Sequence, residues 1–230
     1  MLKGSAMHRL VAFAFVALIG FAHAADKGEQ WAFLMEGDYH GDEAPANPGK
    51  GWLALVIVDG RWHLVPTKVS AEPVYDAVLD AKGQKTGIRI SSRHPKALAL
   101  FRDPDLLAQK IDTPNLRFKG SSLDLSPDQP LQVSFKGQQY QIVVVRSEIF
   151  LTNGSRRTKL PDLSVSEDRE SEHSESARLL WAGDLDRDGS LDLLVSYSRY
   201  NASGTCLFLS SKAPKGNLVR QVACHGGIGC

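Results

Sequence analysis

The chain carries no G-x-S-x-G elbow, no H-E-x-x-H pair, no P-loop and no dinucleotide-binding fingerprint anywhere in its 230 residues. Each of those motifs places a nucleophile, a zinc or a phosphate cradle at a fixed spacing, so the chemistries they announce are not signalled here. Cysteine is scarce. All three, Cys206, Cys224 and Cys230, fall in the last quarter, and no C-x-x-C pair suggests a zinc ribbon. Excess charge is missing too: 27 basic against 26 acidic side chains give a formal charge of +1. A nucleic-acid binder needs a clustered basic surface to displace counterions, and none is present. Long helical periodicity is absent, which argues against an α-bundle or a doubly wound α/β fold. The longest apolar run has thirteen residues, too short for a stable membrane span, so no transmembrane segment is expected.

That run, Leu10 to Ala22, lies behind Lys3, His8 and Arg9 and ahead of Ala22-His23-Ala24. A basic start, a short apolar stretch and an A-x-A site describe a secretory signal peptide over residues 1–24. No cysteine stands near the cleavage point, which argues against a lipid anchor there. Cleavage leaves 206 residues with a formal charge of −1, enough for one large domain or two small ones. The expected location is the periplasm or the exterior, where two of the cysteines can pair. Cys206 and Cys224 lie almost symmetrically about "PKGN" and can face each other across a hairpin. Cys224 and Cys230 enclose only the pliable "HGGIG", and the spacing alone does not choose among the three pairings.

The remaining pattern is mainly β, with antiparallel hairpins. Asp59-Gly60 separates two alternating apolar runs, the strongest short hairpin signal because both turn positions require positive φ. Lys136-Gly137 and Asn153-Gly154 predict a second and a third hairpin. "QWAFLME", "TGIRISS", "ALALF" and "NLRF" predict short strands, and "DPDLLAQKI" one or two helical turns capped by Asp103. The polar stretch 161–176 is expected as an exposed loop. It separates a β-rich part, 25–160, from a C-terminal β part, 177–230, the two forming either one domain or two packed lobes.

One segment stands out. "WAGDLDRDGSLDLLVSYS" places aspartates at loop positions 1, 3, 5 and 9, namely Asp184, Asp186, Asp188 and Asp192, with Gly189 at position 6. A tight loop turns the side chains at 1, 3 and 5 toward one centre, and glycine at 6 supplies the left-handed bend. The backbone carbonyl of Ser190 at position 7 and the Asp192 carboxylate complete a set of hard oxygen ligands, which suits Ca²⁺. Position 12, the bidentate glutamate of an EF-hand, is Val195, and both flanks read as strands. The D-x-D-x-D-G-x-x-D core between strands, lined by Leu185, Leu191 and Leu193, resembles the calcium loops of integrin-type FG-GAP repeats and bacterial VCBS-type repeats. The resemblance spans Leu179 to Ser198. It implies a bound calcium at Asp184, Asp186, Asp188, Ser190 and Asp192; a single copy does not imply a propeller. The layout as a whole resembles short exported Gram-negative proteins.

Other polar groups fit ordinary structural roles better. His63 alternates with apolar neighbours as a strand residue does, and His173 lies in the Ser/Glu-rich loop. The four tryptophans sit inside apolar runs, where core packing outweighs sugar stacking. Cys224 beside His225 is better read as half of a disulfide than as a nucleophile. The loop "MEGDYHGDE" gathers Glu36, Asp38, His40, Asp42 and Glu43, a set that offers acid–base groups to a small hydrolase. Against that alternative, the sequence favours a non-enzymatic exported protein whose calcium is structural and whose partner is a protein or a glycan.

Overall fold

The computed structural model describes residues 32–117, 120–167 and 174–228. The expected signal peptide, Trp31, His173 and Cys230 lie outside these. Among the described residues there is no helix, and therefore none long and apolar enough to cross a membrane. The N-terminal strands are β1 (Ala32–Leu34), β2 (Gly37–Tyr39), β3 (Trp52–Val58), β4 (Arg61–Thr67), β5 (Val69–Val74), β6 (Gly87–Ser92), β7 (Ala99–Arg102) and β8 (Gln109–Lys110). The central ones are β9 (Leu123–Asp124), β10 (Leu131–Phe135), β11 (Gln138–Val145), β12 (Glu148–Asn153) and β13 (Arg156–Ser164). The chain closes with β14 (Ser176–Gly183), β15 (Asp192–Arg199), β16 (Ala202–Leu209) and β17 (Arg220–Ile228).

They form four antiparallel sheets, ordered β2-β6-β5, β1-β7-β3-β4-β8, β17-β16-β15-β14-β9 and β10-β11-β12-β13. Side-chain alternation stacks these sheets into layers. On β3, Trp52, Ala54 and Val56 face a core shared with the three-stranded sheet, while Leu55 faces the C-terminal sheet. On β15, Leu194 meets Leu55 and Phe101, whereas Leu193 and Val195 face Ile142, Ile149 and Leu160 of the β10–β13 sheet. The C-terminal sheet is thus covered on both faces. That explains why "LDLLVSYS" begins as a continuous apolar run instead of an alternating one.

The turns follow local chemistry. Asp59 and Gly60 have φ of 49° and 73°, and Lys136 and Gly137 have 46° and 78°, as two-residue hairpins between right-twisted strands require. The third hairpin is shifted by one residue: Asn153 pairs with Arg156, so the turn is Gly154-Ser155. An unexpected left-handed pair, Arg146 and Ser147, joins β11 to β12 without any glycine.

Three further expectations fail. "DPDLLAQKI" makes one hydrogen-bonded turn at Asp103, then Gln109 pairs with Leu64 of β4. Of its two leucines only Leu106 is buried while Leu107 is exposed, so a helix would gain too little packing to offset nucleation. In "NLRF", residues 115–117 form no strand; Leu116 packs on the core without a partner ladder. Pro161 to Ser164 belong to β13, because Leu160 and Leu163 are buried and draw the chain along the sheet.

Cys206 and Cys224 are register partners on β16 and β17 and form a disulfide. Trp52 and Trp181 are buried and Trp62 packs partly against the core, in keeping with structural roles.

Candidate metal centre

Gly183 at the end of β14 pairs with Asp192 at the start of β15, so residues 184–191 form a loop tied down at both ends. Leu185 and Leu191 are fully buried and anchor it from within. A Cβ on Gly183 would stand 2.8 Å from the Asp112 carbonyl oxygen, which explains the glycine: the Asp184 N–H donates to that carbonyl at 3.0 Å. Gly189 has φ of +86° with open space around its Cα, so its requirement is conformational rather than steric.

Asp184, Asp186 and Asp188 each bring one carboxylate oxygen within 4.8 Å of the others. Asp184 is the innermost, at 4% exposure. Its Oδ2 accepts from the Gly189 N–H at 3.1 Å and from the Lys136 ammonium at 2.6 Å. Its Oδ1 is buried and has no hydrogen-bond partner. An unsatisfied carboxylate oxygen in a dry position is costly, and the Gly189 bond fixes this carboxylate inside the loop. Asp186 accepts from the Ser211 hydroxyl, and Asp188 from the Ser190 N–H at 2.7 Å and the Ser210 hydroxyl at 2.8 Å. Burial pushes the Asp186 carboxyl above its ordinary range, and the neighbouring Asp188 charge adds to that.

Asp192 lies apart from this triad. It is completely buried, its Oδ2 accepts the Leu185 N–H at 2.7 Å, and its Oδ1 accepts the Ser210 N–H at 2.8 Å and lies 2.9 Å from the Ser210 hydroxyl, whose one proton is shared between Asp188 and Asp192. It therefore braces the loop to the segment after β16. Desolvation, reinforced by the Asp186 charge, raises its carboxyl well above the usual range. Oδ2 keeps a lone pair beyond the Leu185 bond, so bracing leaves Asp192 able to ligate.

Sequence reasoning missed four contributors. Ser210 and Ser211 supply hydroxyls from the turn after β16, Lys136 reaches in from the β10–β11 turn, and Asp112 lies beyond β8. Gln109 of β8 also donates to the Leu185 carbonyl at 3.2 Å. They come from segments attached to three different sheets, so no local spacing could have announced them. The loop is the place where three of the four sheets touch.

The acidic 36–43 segment is organised differently. Glu36 accepts from the Ser92 N–H, and Asp38 forms a two-pronged pair with Arg89 at 2.6 Å on each prong. His40 donates through Nδ1 to Asp76 at 2.5 Å and through Nε2 to the Ile228 carbonyl at 2.8 Å. Two acceptors on one ring require the imidazolium; the Asp76 hydrogen bond raises the His40 pKa and lowers that of Asp76. Glu43 completes the clamp, accepting from the Ile228 N–H at 2.5 Å and the His40 N–H at 3.0 Å. Asp42 is exposed. Beside the clamp lies an open cleft of ≈ 680 Å³, bordered by Tyr39, Tyr197 and His225. His225 accepts the Met35 N–H at Nδ1, and burial lowers its pKa, leaving the ring neutral.

The triad is compatible with a D-x-D-x-D calcium loop and can hold a metal ion. Compared with family models, with curated proteins and with solved structures, the chain gives no significant match to any of them.

Proposed function

We propose that this is an exported calcium-binding protein in which the ion is structural, joining three β-sheets at the 184–192 loop. The observation that carries the reading is the buried, unpartnered Oδ1 of Asp184, set among two further carboxylates. Asp184, Asp186 and Asp188 would hold the ion, with the Ser190 carbonyl and Asp192 completing the oxygen set that the spacing supplies. A set of hard oxygens that mixes carboxylates with a backbone carbonyl favours Ca²⁺ over the smaller, more strictly octahedral Mg²⁺. The signal-like N-terminus supports export to the periplasm or beyond, where millimolar calcium matches the ~10⁻⁴–10⁻³ M affinities of extracellular modules. At ~100 times its dissociation constant, the ion adds about 2.7 kcal/mol to the stability of the folded state.

The loop joins sheets and does not line the cleft near His40, which supports a binding or envelope-associated role over catalysis. Glu36, Asp38 and His40, the groups a hydrolase would use, are all committed to structural partners. The partner is proposed to be a protein or a glycan. The test is thermal melting of the full mature chain in EDTA and in millimolar calcium. The expected result is a calcium-dependent rise that EDTA reverses; an unchanged melt defeats the proposal.

A further inference from the structure

Lys136 brings an ammonium from the β10–β11 turn onto the innermost aspartate of the acidic loop. It sits at the first position of the β10–β11 turn, in a left-handed conformation, with φ of 46°. Its ammonium reaches Asp184 Oδ2 at 2.6 Å and Asp112 Oδ2 at 3.4 Å. Asp184 is almost wholly buried, whereas the Lys136 side chain keeps 39% of its surface exposed and Asp112 keeps 65%. The carboxylate is therefore fixed and the lysine retains room to leave. Three aspartates within 4.8 Å repel one another strongly when no cation is present, and an ammonium against the innermost one relieves that repulsion.

We propose that Lys136 is a tethered counter-ion for the loop: it neutralises Asp184 while the site is empty and is driven outward when calcium enters. This rests on the calcium reading above and adds an affinity-setting residue from a different sheet. Two positive charges cannot share one buried carboxylate at short range without a large repulsion. Binding a divalent ion must therefore overcome the lysine that already occupies part of the negative potential. The result is a weaker site than the carboxylate count alone gives. It also couples ion entry to the position of the β10–β11 hairpin, because the lysine's backbone lies in its turn.

Calcium binding is measured by isothermal titration on the full mature wild-type chain, on Lys136→Gln, which keeps length and polarity without charge, and on Lys136→Arg, which keeps the charge. The Gln variant is expected to bind calcium about tenfold more tightly, equivalent to about 1.4 kcal/mol, and the Arg variant to stay within about threefold of wild type. Melting in EDTA should fall for Gln and change less at saturating calcium, whereas a merely structural ion pair would lower both melts equally. A second measurement needs no variant: acylation of Lys136 in the wild-type chain, read by peptide mass spectrometry at fixed pH, should accelerate on adding calcium. Unchanged or weaker affinity in the Gln variant, or wild-type labelling insensitive to saturating calcium, overturns the Lys136 proposal alone. Absence of calcium binding in all three chains overturns the calcium reading, and this proposal with it.

Discussion

Replacing Asp192 with alanine in EDTA isolates its bracing role, because its carboxylate accepts two main-chain N–H groups. The Leu185 N–H is buried with its residue, so removing its acceptor leaves it unpaired at a cost of about 2–3 kcal/mol. Ser210 is only half-buried and water can reach part of it; its N–H adds about 1 kcal/mol. Relief of the carboxylate's burial penalty, and of its repulsion with Asp186, offsets part of this. The net expected loss is about 2–3 kcal/mol, a fall in Tm of roughly 4–12 °C for a chain of this size. Urea unfolding of residues 25–230 in EDTA measures it. Asp186→Ala is the companion: it lies at the loop rim and should change the EDTA midpoint by less than about 1 kcal/mol. If Asp192→Ala unfolds within about 0.5 kcal/mol of wild type in EDTA and differs only with calcium, the bracing argument is wrong.

Three more outcomes are expected. Serine at both Cys206 and Cys224 should cost about 3 kcal/mol in urea, as for a crosslink closing a loop of this length; no change on reduction would contradict the pairing. Leu194→Ala, fully buried where two sheets meet, should cost about 2–5 kcal/mol, whereas exposed Leu79→Ala should stay within about 0.5, both by urea midpoint. The His40–Asp76 clamp should show a pH window. The raised His40 pKa contributes stability that is complete below its ordinary 6.5 and fades as pH climbs through the raised value. The lowered Asp76 pKa contributes stability that is complete above its ordinary 3.8 and fades as pH falls through the lowered value. The stability difference between wild type and His40→Gln should therefore be largest at intermediate acid pH and shrink on either side, and a flat difference would refute the ion pair.

Local turn chemistry locates the three hairpins, although at Asn153-Gly154 the register moves the turn by one residue. Asp59-Gly60 and Lys136-Gly137 take the left-handed angles that their residue types predict. Arg146-Ser147 takes the same angles with neither glycine nor asparagine, so its turn is imposed by the β11–β12 register, Val145 opposite Glu148. The same tertiary control turned "DPDLLAQKI" away from helix: a propensity that is adequate in isolation lost to pairing of Gln109 with β4. Layering was illegible for a related reason. Whether Leu193 and Leu194 face one core or two depends on what covers each side of the sheet, and that information lies far along the chain.

The loop shows how far spacing can carry a site. Positions 1, 3 and 5 converge because the backbone between Gly183 and Asp192 can close in few ways, and that geometry is written in eight consecutive residues. Position 9 follows a different logic. Asp192 is the first residue of β15, so its direction is set by the strand, and the strand turns it under the loop toward the Leu185 and Ser210 amides. A carboxylate there satisfies two main-chain donors that an apolar residue would leave unpaired. The fourth aspartate of the motif is therefore needed even by the ion-free fold, and the stretch can persist in a sequence as a structural joint. Lys136 completes that joint from a third sheet by its ion pair with Asp184.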